Sequence, residues 1–169
     1  SASGAGGKYS PATGLRLREA GSPFEAIHMA TGWEHALTDQ YVRDYLPTIL
    51  GPITVLQRAK GGMEALCRQK GMFPSRRIRF CTQELKVFPF RDHVIPRIAA
   101  GEDLVNAVGI RSAESQARAN LPPWEPLVFH RDGEPCELEV WRPILSWSEQ
   151  DVIDLHRRHG VDPNPLYLM

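Results

Sequence analysis

The sequence predicts an α/β domain: a doubly wound, mostly parallel sheet with helices on both faces. Three observations carry that expectation. Short apolar runs alternate with helical patterns, which is the rhythm of a parallel sheet. Hydrophobic residues make up 42% of the chain and charged residues 24%, as in an ordinary globular core. A length of 169 residues suits one domain, expected to span 1–169.

The elements follow in order. Ser10 before Pro11 reads as an N-cap and first helical residue, with the helix running through Leu15 and Leu17 to Gly21. Phe24 to Met29 reads as a buried strand. Thr38 is expected to cap a helix carrying Tyr41, Val42, Tyr45 and Leu46, ended by Pro47. Pro52 to Leu56 is a second short strand. Between Gly61 and Gly71 a short helix turns Met63, Leu66 and Cys67 inward. Thr82 is expected to cap another helix, with Leu85, Phe88 and Phe90 apolar around Pro89. Leu104 to Ile110 is a clean buried strand. Leu127 to Trp141, broken at Asp132-Gly133, looks like a small hairpin insertion. Ser148 with Asp151 resembles a capping pair opening a helix through Val152, Ile153 and Leu155 to Gly160.

Bulk properties narrow the function. Twenty basic and 20 acidic residues balance to a formal charge of zero, which argues against a dedicated nucleic-acid binder. No apolar run approaches the roughly 20 residues that span a bilayer, and no signal-peptide pattern is present. Cytoplasmic residence is the default expectation. Cys67, Cys81 and Cys136 are too few and too scattered for a disulfide framework or a CxxC metal site. The chain opens on Ser-Ala-Ser without Met and stops soon after Tyr167, so a core lacking its first strand and a C-terminal tail is expected.

Several segments can carry chemistry. Ser3, Gly4, Gly6, Gly7, Lys8 and Ser10 form a Gly-rich loop leading into a helix, where backbone N–H groups and the helix dipole favour an anion. Alone, such a loop equally describes a flexible terminus, and it lacks Walker A spacing. Thr31, Gly32, Trp33 and Glu34 follow the second strand, at the end where ligands sit in open α/β sheets. Trp33 can stack on a base or pack in the core; Glu34 can bind a ribose or a metal-bound water. Arg79 and Lys86 flank a helix start at Thr82, which describes a second anion site, with Cys81 beside it. The basic stretch around them, from Arg68 to Arg91, reads equally as a solvated face. A buried strand then delivers Gly109, Ile110 and Arg111, with Ser112 able to cap the next helix. An arginine buried there must meet a phosphate, a sulfate or Glu114, and Arg118 lies one turn on. Trp141, Trp147 and the last helix read chiefly as packing elements, and Asn164 as a loop-positioning residue.

The stretches TGWEH, RFCTQELKVFP, VGIRSAESQARA, RPILSWSEQDV and NPLY, in this order, resemble the phosphoadenosine-phosphosulfate (PAPS) reductase-like family of the adenine nucleotide α-hydrolase, or PP-loop, superfamily. The resemblance implies an adenine nucleotide (PAPS, APS or ATP) over the strand ends, its phosphates on the Gly loop. It implies Lys86, Arg111 and Cys81 as catalytic candidates. The residues named above from Ser3 to Arg118 would then line the nucleotide. A thiol reductant protein or a sulfur-transfer partner is implied, nucleic acid enters only as an indirect substrate, and a homo-oligomer is expected. Members include thiol-dependent reductases that release sulfite and ATP pyrophosphatases that activate a substrate for sulfur insertion. Two positions depart from the pattern. Tyr9 stands where the PP-loop carries an acid, and Ala30 where Asp-Thr-Gly is usual. Both acids would lie near phosphates or Mg²⁺, so a Mg²⁺ ion stays open, as does an iron–sulfur cluster with Cys81 as one ligand. A catalytically inactive nucleotide-binding domain is the third reading.

Overall fold

The computed structural model describes residues 2–3, 9–75 and 77–167. Five strands run parallel and one antiparallel in a single sheet of order β3-β2-β1-β4-β6-β5. The strands are β1 (Ala2–Ser3), β2 (Ala26–Ala30), β3 (Ile53–Gln57), β4 (Val105–Val108), β5 (Trp124–Arg131) and β6 (Glu134–Trp141). The expected hairpin is real, with both turn residues at positive φ (Asp132 53°, Gly133 87°). It is part of the main sheet: β6 pairs parallel with β4, and β5 forms the outer edge.

Both faces are covered. Successive strand residues point to opposite faces. Trp141 packs with Leu17 of α1 (Ser10–Glu19), whereas Leu138 packs with Phe90, Val94 and Ile95 of α6 (Phe88–Ala99). On the α1 side, Ala12 and Leu15 meet Val152 and Leu155 of α8 (Glu149–Arg158), and α3 (Leu46–Leu50) closes the layer. The apolar residues of α1 and α6 are thus spent on opposite faces of the sheet.

Helix starts differ from the sequence expectation in four places. Ser10 is the first helical residue, not the cap: Tyr9 is the N-cap, without a side-chain bond. Thr38 lies inside α2 (Ala36–Gln40), which His35 caps by accepting a bond from Leu37 N through Nδ1 at 3.2 Å. Thr82 lies inside a helical turn, α5 (Phe80–Thr82), that begins after Arg79. Ser112 sits within a 3₁₀ turn, and Ser115 caps α7 (Gln116–Ala119) instead, its Oγ accepting from Arg118 N at 3.3 Å.

Pro47 does not end its helix either. The chain stays helical over residues 36–50 because a π turn (Tyr41–Tyr45) precedes the proline, and Leu46 N bonds to Tyr41 O. A widened turn makes room where the ring would strike the preceding carbonyl. The same device recurs before Pro89, where the π turn Gln83–Val87 ends on a bond from Phe88 N to Gln83 O. Met63 of α4 (Met63–Lys70) is half-buried, while Leu66 and Cys67 are buried as expected.

Candidate functional site

The strand order makes the site. β1 pairs with β2 on one side and β4 on the other, so the connections leaving β1 and β4 part in opposite directions and open a crevice between them. Tyr9 and α1 enter it from β1, and Gly109, Ile110 and Arg111 from β4. Gly109 is required there: a Cβ at that position would lie 2.7 Å from Tyr9 O and 2.8 Å from Thr13 Oγ1. Tyr9 O is itself the acceptor for Thr13 N and Thr13 Oγ1, at 3.2 and 3.3 Å. The first turn of α1 therefore rests directly on the end of β4.

Arg111 is the focus of this crevice. It is 6% exposed, and among the described residues no carboxylate pairs with its guanidinium. Arg142, buried to a similar degree, is ion-paired with Glu125. A guanidinium has five donors. One Arg111 Nη donates to Tyr9 Oη at 2.6 Å and the other to Trp147 O at 3.3 Å, while Nε is buried with no partner. The Tyr9 ring lies against the guanidinium, 4.4 Å from Cζ to the ring centroid. Of the partners the sequence offered for Arg111, the Glu114 carboxylate is not one in the structure. Glu114 accepts from the Arg111 backbone N at 2.7 Å and pairs with Arg118, so these two residues shape the turn after β4.

The loop after β2 is built differently from what the sequence suggested. Glu34 turns back on its own loop, accepting from Thr31 N at 2.9 Å, Thr31 Oγ1 at 2.5 Å and Gly32 N at 2.9 Å. Burial pushes this carboxyl up, but the Thr31 and Gly32 bonds outweigh it and hold the group below its ordinary range. A carboxylate so engaged is a loop brace, not a free ligand for ribose or metal. Gly62, ahead of α4, packs on this loop so closely that a Cβ would sit 2.5 Å from Thr31 O, and Met63 N donates to that oxygen at 2.7 Å. Trp33 is not core: it is 56% exposed and stacks on Phe73 with centroids 6.1 Å apart.

The remaining candidates are scattered. Gly4, Gly6, Gly7 and Lys8 lie outside the described residues; Ser3 ends β1. Arg79 and Lys86 are exposed on the α5 side, and no hydrogen bond or ion pair joins them to Arg111. Thr82 and Cys81 are half-buried in the same helical turn. Near them a cleft of about 740 Å³ at the end of β3 is lined by Arg58, Lys60, Glu84, Phe88 and Arg91. Glu84 binds Arg58 (3.4 Å) and Lys70 (3.2 Å) there. Asn164 is buried and donates to Thr38 Oγ1 at 3.1 Å, tying the segment that carries it to α2.

Sequence reasoning missed Tyr9 as the partner of Arg111. The only signal was that an aromatic residue replaced an expected acid. Trp147 O and Gly62 had no signal at all, since a carbonyl or a Cβ clearance appears only in the fold.

Comparison with known proteins agrees with this architecture. The phosphoadenosine phosphosulfate reductase domain model matches residues 1–169. The chain belongs to that family. A curated relative, an uncharacterized 37.8 kDa protein in the gpa 5′ region of Escherichia phage 186, is 32% identical over 208 aligned positions. The alignment covers 96% of this chain, which spans 61% of the relative's length. The crystal structure of phosphoadenylyl-sulfate reductase from Candida auris, a phosphate complex, superposes with a TM-score of 0.63 at 19% identity. It covers 98% of this chain and 74% of that one, and establishes the shared fold.

This family acts on adenine nucleotides. Cation and cluster cofactors fit the described residues poorly. No group of three His, Cys, Asp or Glu gathers among them, and the one acid on the β2 loop is committed to Thr31 and Gly32. The free cysteines sit apart, on α4, α5 and β6. No described helix is long and apolar enough to cross a membrane.

Proposed function

We propose that this chain is the nucleotide-binding core of a thiol-dependent PAPS reductase-type enzyme, with Arg111 receiving the sulfate or phosphate of an adenylyl sulfate. The observation that carries it is Arg111 itself: a 6%-exposed cation at the switch point, with no carboxylate partner among the described residues and a buried Nε lacking an acceptor. An unpaired buried charge is costly, and an anionic ligand removes the cost. Family membership supplies the ligand class.

In this reading Arg111 neutralises charge on the phosphosulfate as the sulfur–oxygen bond of its P–O–S anhydride breaks. A dithiol partner is the reductant: one thiolate attacks sulfur, the nucleotide phosphate leaves, and the second thiolate releases sulfite while a disulfide forms. The turn braced by Glu114 and Arg118 fixes where Arg111 stands. Isothermal titration with PAPS, APS and ATP tests the reading. PAPS or APS should bind, and Arg111→Gln should weaken binding by roughly 10- to 100-fold, as expected for losing a charge-assisted bond. Absence of binding to all three at millimolar concentration would sink it.

One observation favours a second reading, a nucleotide-binding domain without turnover: Tyr9 occupies Arg111 where the PP-loop carries an acid. Sulfite release with PAPS and a dithiol would decide against that reading.

A further inference from the structure

We propose that Tyr9 stands in for the ligand's anion at Arg111 and so determines which ligands the site accepts. The proposal rests on Arg111 being an anion site. It adds that a ligand gains Arg111 only if its anionic group outcompetes the phenol already there.

The geometry separates a fixed part from a movable one. The backbone of Tyr9 is fixed, because its carbonyl accepts from Thr13 N and Thr13 Oγ1 and Gly109 packs beneath it. Arg111 is fixed from the other side by the turn after β4, through its N–H to Glu114 and its Nη to Trp147 O. The Tyr9 side chain covers the guanidinium through two contacts, the 2.6 Å bond to Oη and the ring at 4.4 Å. Rotation about its own χ1 would uncover Arg111 without moving either main chain, at the cost of the ring's packing against the Ala12–Leu15–Ile144 cluster. What remains under the ring is a cation that is 6% exposed and holds an unpaired Nε.

The chemistry of the exchange favours anions selectively. A phenol offers Arg111 a neutral oxygen and a π face. A phosphate or sulfate offers charged oxygens that can take two parallel N–H bonds and pair with the cation, in place of one bond to a neutral acceptor. A ligand without an anion gives no compensation for displacing Tyr9, so it gains nothing at Arg111. An acid at position 9 would pair with Arg111 permanently; a small residue would leave it open to weaker anions. Tyrosine holds the middle position.

Isothermal titration of the full chain with adenosine 3′,5′-bisphosphate and with adenosine distinguishes the outcomes. Tyr9→Ala should bind the bisphosphate about tenfold more tightly than the parent, and Tyr9→Phe, which keeps the ring but not the bond, should fall between. Adenosine should bind all three equally, a selectivity that a purely structural role for Tyr9 would not produce. If Tyr9→Ala fails to give a cooperative melt, the Tyr9→Phe comparison decides alone. Bisphosphate binding that Arg111→Gln weakens but neither Tyr9 variant strengthens would overturn the role of Tyr9 and leave the anion site standing. Binding indifferent to Arg111→Gln, or no binding by any variant, would overturn both.

Discussion

Glu34 spends its carboxylate on its own loop, and that decides what it can do for a ligand. Its three bonds, from Thr31 N, Thr31 Oγ1 and Gly32 N, fold the segment that follows β2. The depressed carboxyl makes a stability statement. A group whose folded pKa lies below its unfolded value stabilises the protein above the unfolded value, and that contribution fades as pH falls through the folded one. Glu34→Gln should therefore cost about 1–2 kcal/mol at pH 7, since bonds to a charged acceptor are the stronger kind and this one is only partly buried. Urea denaturation should show the difference shrinking as pH falls below the ordinary carboxyl range and Glu34 takes up its proton. An undiminished difference at pH 3 would mean the charge is irrelevant. The contrast with Arg111 shows what a sequence reveals at this scale. A clean apolar run ending in Arg marks a charge delivered to a strand end, and the structure places Arg111 there. Its partner Tyr9 is 102 positions away, and no local pattern joins them.

Elements were more legible than their ends. Strand and helix types follow from local periodicity, so the βα rhythm, the hairpin and the last helix all appear where expected. Caps failed where tertiary contacts competed: Thr38 has the chemistry of a cap, yet its Oγ1 accepts from Asn164 and His35 does the capping. Pro47 failed for another reason. It reads as a helix stop, but a π turn ahead of it carries the helix past, as another does before Pro89, and nothing in residue type alone announces a π turn. Ser148 is the case where chemistry and fold agree, with Ser148 Oγ accepting from Asp151 N at 3.1 Å and Asp151 accepting from Ser148 N at 2.7 Å. Ser148→Ala should cost about 1 kcal/mol, read as a lower urea midpoint with an unchanged slope. Gly62→Ala tests the contact between the loops after β2 and β3. The added methyl would meet Thr31 O at 2.5 Å, which is backbone and cannot yield cheaply. A loss of about 2 kcal/mol is expected, within the range typical of overpacking.

At the scale of the whole molecule, one sheet is clamped between two helical layers, and the layers are not equally tolerant of acid. The α6 side packs Ile27, Phe129 and Leu138 under apolar helix residues. The α1–α8 side buries a histidine: His156 of α8 is 8% exposed, and its Nε2 has no partner. Burial, and after it the neighbouring His159, lower the pKa of His156. The sign follows from proton counting. A histidine whose folded pKa lies below its unfolded value binds fewer protons in the native state. Its unfavourable contribution is absent above the ordinary value of 6.5 and grows as pH falls through it. Other groups also titrate in this range, so the comparison is with His156→Leu, which keeps a side chain of similar size on the buried face of α8. Between pH 7 and pH 5 the parent should lose stability relative to His156→Leu, with the two curves parallel above pH 7.5. Because α8 seals the same layer that seats α1 and Tyr9, acid should loosen the crevice between β1 and β4 before it loosens the α6 face. Hydrogen exchange at pH 5 should show protection lost first in α1 and α8 and later in α6 and β6. Equal loss in both layers would mean that the sheet, not the buried histidine, sets the acid limit.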